Sequence, residues 1–121
     1  MSGTIRDYRD LVVWQRSISL AKGVFLLCRE IRPEGHGLGS QIRRAAVSPS
    51  NIAEGYGRGT RGEYLRSLRI ANGSLKELET QLILVDELKL APADEVRVLL
   101  SGTAEVGRML TGLRNALKAK R

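Results

Sequence analysis

Three stretches of this chain repeat apolar residues in alternating steps of three and four, and that spacing limits the fold more than any other feature. Leu11, Trp14, Ile18, Ala21, Phe25 and Cys28 form the first stripe. Leu68, Ala71, Leu75, Leu78, Leu82 and Val85 form the second, and Val96, Leu99, Thr103, Val106, Leu110, Leu113 and Leu117 the third. On a helix, positions spaced in this way share one face and recur about every 3.5 residues. A strand needs strict alternation of apolar and polar residues, which none of these stretches shows. The core must be aliphatic, because the chain has only five aromatic residues, Tyr8, Trp14, Phe25, Tyr56 and Tyr64.

Local signals agree with the stripes. Pro33, Gly35, Gly37 and Gly39 break the chain after the first, and Gly55, Gly57, Gly59 and Gly62 break it before the second. Thr60 with Glu63 has the spacing of a capping box. Pro92 suits a first helical turn, with Asp94 and Glu95 placed to favour the helix dipole. The pattern predicts helices over about 7–31, 38–57, 61–90 and 92–118. Asn72-Gly73 would ordinarily mark a turn, but the stripe passes through it in phase, so the third helix is expected to continue. Pro49 is expected to kink or interrupt the second helix. With 121 residues the chain makes one domain. Long helices on short connections favour antiparallel neighbours, hence an all-α, up-and-down four-helix bundle.

The second segment reads Leu38-Gly39-Ser40-Gln41, then Arg43-Arg44-Ala45-Ala46, then Ser48-Pro49-Ser50-Asn51-Ile52-Ala53-Glu54-Gly55-Tyr56-Gly57-Arg58. With Leu11-Val12-Val13-Trp14-Gln15 and Ala21 before it, and Gly73-Ser74-Leu75-Lys76-Glu77 and Thr80 after it, this resembles the family of 23S ribosomal RNA intervening-sequence proteins. The resemblance covers nearly the whole chain, and the run Asn51-Ile52-Ala53-Glu54-Gly55 makes it specific. It departs at one point, since the family pattern carries an apolar residue between the serine and the proline that are Ser48 and Pro49 here. One missing residue rotates the rest of a helix by about 100°, and Pro49 is where such a shift is absorbed. The resemblance implies a ring-like homopentamer of four-helix protomers with no assigned biochemical activity. It further implies a relation to the accessory variability proteins of diversity-generating retroelements, which bind nucleic acid and a partner reverse transcriptase.

Candidate chemistry is sparse. Gly57-Arg58-Gly59-Thr60-Arg61-Gly62 has the spacing G-x-G-x-x-G, but a dinucleotide site also needs a preceding strand, and an interhelical loop is the plainer reading. His36 is the only histidine and falls in a glycine-rich stretch, where a solvated loop residue is expected. Cys28, the only cysteine, lies on the first stripe and reads as core rather than nucleophile. Glu54 has no second acid or metal site beside it, so a salt bridge or a cap is expected of it. Asn51 is expected to satisfy backbone groups left open by Pro49. No catalytic residue, metal or cofactor is therefore assigned, and an enzyme is not expected.

Charge is the remaining signal. Net charge is +7 and the pI about 10.2, which favours a polyanionic partner. Arg43, Arg44, Arg58, Arg61, Arg66 and Arg69 gather around the second segment and the start of the third helix, while Arg108, Arg114, Lys118, Lys120 and Arg121 make the C-terminal end basic. By contrast Glu77, Glu79, Asp86, Glu87, Asp94 and Glu95 make 77–95 acidic. These basic residues are the candidate contacts for RNA or DNA, and a solvated helix face is the alternative. No motif for base readout and no aromatic-rich stacking surface is evident, so affinity would come from counterion release. Val13, Val24, Leu27, Leu65 and Ile83 lie off the stripes and are expected to be exposed, as a subunit interface or a surface for a protein partner. No apolar run reaches the ~20 residues that span a bilayer. The first ten residues carry Arg6, Asp7, Arg9 and Asp10, unlike a secretory signal, so a cytoplasmic setting is expected.

Overall fold

The structure is a computed structural model that describes residues 5–46 and 48–120. Its helices are α1 (Val12–Cys28), α2 (His36–Ala45), α3 (Ser48–Gly57), α4 (Arg61–Glu87) and α5 (Ala93–Ala119). Two short 3₁₀ turns, Tyr8–Asp10 and Pro33–Gly35, precede α1 and α2. Among the described residues there is no strand, and no helix is long and apolar enough to cross a membrane. The arrangement is that of a four-helix bundle in which α2 and α3 together make one arm.

The second and third stripes lie where the spacing puts them. Leu68, Ala71, Leu75, Leu78, Leu82 and Val85 are all buried on α4, as are Val96, Leu99, Thr103, Val106 and Leu110 on α5. Leu113 and Leu117 pack half-buried against the same core. α4 runs unbroken through Asn72-Gly73.

The first stripe is turned by one residue from its expected phase. The buried face of α1 is Val13, Ser17, Leu20, Val24, Leu27 and Cys28, whereas Leu11, Trp14, Ile18 and Ala21 are half-buried and Phe25 is 49% exposed. Val13, Val24 and Leu27, expected at the surface, are therefore core residues; Leu65 is half-buried, and Ile83 is exposed. The cause is that α1 is apolar on two adjacent faces, and Ser17 disguises the buried one. Its hydroxyl donates to the Trp14 carbonyl at 2.8 Å, which lets a polar residue enter the core without an unmet hydrogen bond.

Boundaries differ from the expected spans for identifiable reasons. Asp7 does not begin α1; it caps the 3₁₀ turn through a capping box with Asp10. At the other end Arg29, Glu30 and Ile31 bond back three residues, the tight pattern of a fraying last turn, so α1 stops at Cys28 rather than 31. The expected helix over 38–57 is two helices. α2 begins at His36, so His36, Gly37 and Gly39 are helical rather than loop, and it ends at Ala45. Val47 lies outside the described residues. Pro49 then stands in the first turn of α3, where its missing N–H costs nothing. α4 ends at Glu87 in a Schellman motif, with Leu90 N–H donating to Val85 O, Lys89 N–H to Asp86 O, and Lys89 at φ 55°. Pro92 sits just before α5 rather than within its first turn.

Glycines let α5 approach its neighbours closely. Leu99 Cδ2 stands 2.7 Å from where a Cβ on Gly23 would lie, and Leu20 Cδ1 3.0 Å from the corresponding point on Gly102. Leu75 of α4 fills the space beside Gly107 in the same way. The Arg32 N–H donates to the Leu90 carbonyl at 3.1 Å and ties the α1–α2 connection to the α4–α5 connection.

Candidate nucleic-acid interface

The motif run 51–55 builds the crossing of α3 and α4 and reaches solvent only in part. Ile52 is fully buried, and Asn51 and Ala53 are half-buried. A Cβ on Gly55 would stand 2.4 Å from Ser67 Cβ, so only glycine allows these two helices to meet as they do. Two turns earlier on α3, the buried Ser48 hydroxyl donates to the Ala71 carbonyl at 3.1 Å and ties the two helices together. Glu54 accepts from Arg58 at 3.1 Å, and Arg58 also faces Glu63 at 3.7 Å. All three side chains are about half-exposed, so these pairs orient Arg58 and add little stability. Thr60 caps α4, its Oγ1 accepting from Glu63 N–H at 3.2 Å. Gly59, at φ +86°, makes the sharp turn before it, and the glycines of the G-x-G-x-x-G spacing therefore end one helix and begin the next.

The structure brings most of the candidate basic residues to one end. Arg58, Arg61 and Arg66 are exposed at the α3–α4 corner, with Arg69 one turn further along α4. α5 meets α4 through Gly107 beside Leu75 and through Thr103, whose hydroxyl lies 3.5 Å from Glu79. It meets α1 through Leu20 beside Gly102 and Arg16 beside Glu105. Carried on at the same spacing, the α4–α5 register lays Arg114 near Leu68 and brings Lys118 and Lys120 level with the first turn of α4, beside Arg61. Arg9 joins this end, held to Asp7 at 3.1 Å, where it keeps the Asp7 carboxyl below its usual range. Arg108 lies nearer the middle, in a shallow groove with Arg16 and Glu105. Arg121 lies outside the described residues.

Arg43 and Arg44 do not belong to this group. Both are exposed in the last turn of α2, and Arg43 lines a recess with Cys28 and His36 towards the opposite end of the molecule. That end carries the acids: Glu30 lies beside Glu95, and their shared hydrogen bond raises the Glu95 carboxyl above its usual range, with Asp94 adding to the effect.

Four of the aromatic residues, scattered in sequence, meet in two pairs, of which Tyr56 and Tyr64 stand at the α3–α4 corner. Tyr8 and Trp14 meet edge-on with ring centroids 5.2 Å apart, and Tyr56 and Tyr64 do so at 5.9 Å. The 3₁₀ turn that carries Tyr8 packs on α3, which ends beside Tyr56. All four rings are half-buried, and each therefore presents some surface to solvent. Single positions in a sequence could not reveal this grouping; the signal was only that each lies within a turn of a helix end. The Tyr64 hydroxyl is buried without a partner, and burial, reinforced by Tyr56, pushes it up to about 12. The Arg114 Nε is likewise buried and unpartnered. Among the described residues no group of three or more His, Cys, Asp or Glu side chains is arranged to hold a metal ion.

The chain matches the family described as 23S rRNA-intervening sequence protein over residues 9–112. No curated protein matches the chain.

Proposed function

We propose, for a chain that belongs to the 23S rRNA-intervening sequence protein family, a non-enzymatic role as a homo-oligomeric scaffold that holds nucleic acid weakly and with little sequence preference. The observation that carries this reading is the concentration of Arg58, Arg61, Arg66, Lys118 and Lys120 at one end, with the acids of 77–95 towards the other. A phosphate backbone recognises such a surface through counterion release, and the half-buried Tyr56 and Tyr64 rings at the same corner offer faces for unpaired bases. The protomer in this reading is an antiparallel, up-and-down bundle. Supporting that path, residue numbers rise along α1 and α4 as they fall along α5, in the pairs Leu20–Gly102 and Gly23–Leu99 for α1 and Leu75–Gly107 and Glu79–Thr103 for α4. A cytoplasmic setting accords with the buried, unpaired Cys28.

Self-association, into a ring-like homopentamer as the family resemblance implies, is supported by apolar residues that the protomer leaves uncovered. Val12, Phe25 and Leu26 on α1, Ile70, Ile83 and Leu84 on α4, and Val98 on α5 are each more than two-fifths exposed. A ring would repeat the basic end around its axis and multiply weak phosphate contacts. The same apolar surface favours a second reading, that of an adaptor or accessory subunit, for example of a reverse transcriptase, without a direct nucleic-acid role.

Fluorescence anisotropy with labelled single-stranded RNA and DNA, from about 50 to about 300 mM salt, tests the first reading. Binding should weaken steeply across that range, whereas no binding at the low end removes it. Light scattering coupled to size-exclusion chromatography reports subunit number and any co-purifying nucleic acid in the same run.

A further inference from the structure

Away from the basic end, the close of α1, the residues that follow it and one face of α2 enclose a recess of about 370 Å³ lined by Cys28, Arg29, Ile31, His36, Gly39 and Arg43. Its floor is the buried Cys28 thiol, which donates to the Gly39 carbonyl at 3.6 Å, together with the buried Ile31. Its rim is cationic, with two guanidinium groups and the only imidazole of the chain, and no carboxylate lines it. The nearest acids in sequence are Glu34 and Glu30, the latter facing Glu95. Glu34 pairs with Arg32 at 3.1 Å, and its own backbone N–H, Arg32 and the nearby His36 imidazole together hold its carboxyl below the usual range. Among the described residues neither Arg29 nor Arg43 takes part in an ion pair.

Two unpaired arginines converging on one concavity are an unusual use of charge. Arginine at a helix end is often there to complement the dipole, and both Arg29, just past the end of α1, and Arg43, in the last turn of α2, are so placed. Dipole complementation does not require the two guanidinium groups, from different helices, to face the same space. Planar guanidinium groups match phosphate oxygens two bonds at a time, and a recess of this volume is at the lower end of the size range for small-ligand sites. We propose that this recess is a binding site for a small phosphate monoester, its phosphate held by Arg29 and Arg43 with His36 at the edge and its remaining atoms over Ile31 and Cys28. The site stands apart from the nucleic-acid reading and neither requires nor supports it.

The sole histidine makes the test direct. Inorganic phosphate, adenosine monophosphate and a dinucleotide with only a diester phosphate are titrated separately into the full chain at constant ionic strength. The His36 imidazole and Gly39 amide signals are followed by NMR. The monoester should give saturable shifts at both positions. Arg29→Gln with Arg43→Gln should weaken binding at least tenfold with helicity unchanged. Arg44→Gln, also exposed but outside the recess, should leave it intact. Inorganic phosphate should saturate more weakly, and chloride at matched ionic strength should produce no such shift. A non-saturating drift, an equal response to the diester, or an undiminished response in the double variant overturns the proposal. Monoester titration of the wild-type protein alone decides the matter should the double variant lose its fold.

Discussion

Gly55 offers the sharpest quantitative test of how this chain closes the α3–α4 corner on which the basic end is built. A methyl group there would lie 2.4 Å from Ser67 Cβ and 2.9 Å from its Oγ. Carbon atoms settle about 3.5–4.0 Å apart, so the helices must part by about 1 Å to admit it. Overpacking of this kind costs about 1–3 kcal/mol. Opposing it, alanine is favoured over glycine in a helix interior by up to about 1 kcal/mol, and by less near the end of α3. Gly55→Ala should therefore destabilise the protein by roughly 1–2 kcal/mol. Gly73→Ala supplies the control: nothing lies within 4 Å of a Cβ there, and it should stabilise by about 0.5–1 kcal/mol. Removing the obstacle completes the cycle. In a Ser67→Gly background the nearest remaining neighbour of the new methyl is Tyr64 Cδ1 at 3.4 Å, close to ordinary contact, so Gly55→Ala should become neutral or stabilising. Urea unfolding followed by helical circular dichroism, at one fixed protomer concentration because assembly shifts apparent stability, measures all four corners. The reasoning fails if Gly55→Ala matches Gly73→Ala, or if its cost is the same with and without the Ser67 side chain.

Other perturbations address the surface and the termini. Phe25→Asp with Leu26→Asp, on the uncovered face of α1, should lower the mass seen by light scattering to that of a smaller assembly or a monomer without loss of helicity; an unchanged mass puts the subunit interface elsewhere. Arg61→Glu with Arg66→Glu should reduce oligonucleotide affinity and flatten its salt dependence by about 0.7–0.9 in log–log slope for every phosphate no longer neutralised, while Arg44→Glu changes little; equal effects would argue for diffuse attraction. Tyr64, pushed up to about 12, favours the neutral phenol in the folded state, so its contribution to stability is complete below pH 10 and is lost as pH rises towards 12. Tyr64→Phe should be at least as stable as wild type at neutral pH, having lost a buried hydroxyl without a partner, and should gain on it above pH 10; parallel pH curves would refute the assignment. Lys89→Gly, relieving a left-handed residue at φ 55°, should raise stability by about 1 kcal/mol in the same urea assay.

The parts of the fold legible in the sequence are those where one face alone is apolar. On α4 and α5 the apolar residues beside the buried stripe, such as Ile70, Ile83, Leu84 and Val98, are too few to form a second continuous stripe, so only one phase fits. α1 carries Leu11, Trp14, Ile18, Ala21 and Phe25 on one face and Val13, Leu20, Val24 and Leu27 on the next, and the periodicity fits both. The choice between them is made by what α5 brings: Gly102 and Leu99 receive and fill the spaces beside Leu20 and Gly23, which only the second phase presents. The break between α2 and α3 is legible only as a disturbance. Pro49 announces an interruption, but its tolerance of a first turn displaces that interruption to the residues before it.

The polarity of the molecule is written in the sequence as blocks, and the fold decides what the blocks mean. α4 and α5 each have 27 residues, hence a length of about 40 Å, several times the ~8 Å over which physiological salt screens exposed charges. Charges at one end are thus almost invisible from the other, and a net charge of +7 is not the charge a partner meets. A polyanion at the α3–α4 corner meets Arg58, Arg61, Arg66 and the end of α5 without repulsion from Asp86, Glu87, Asp94 or Glu95, because the turn that joins α4 to α5 lies a full helix length away. Proximity in sequence groups Arg43 with the basic end, and the fold removes it for the same reason: α2 packs beside the end of α1, with Gly39 against Cys28, which leaves Arg43 in a separate field beside its own recess.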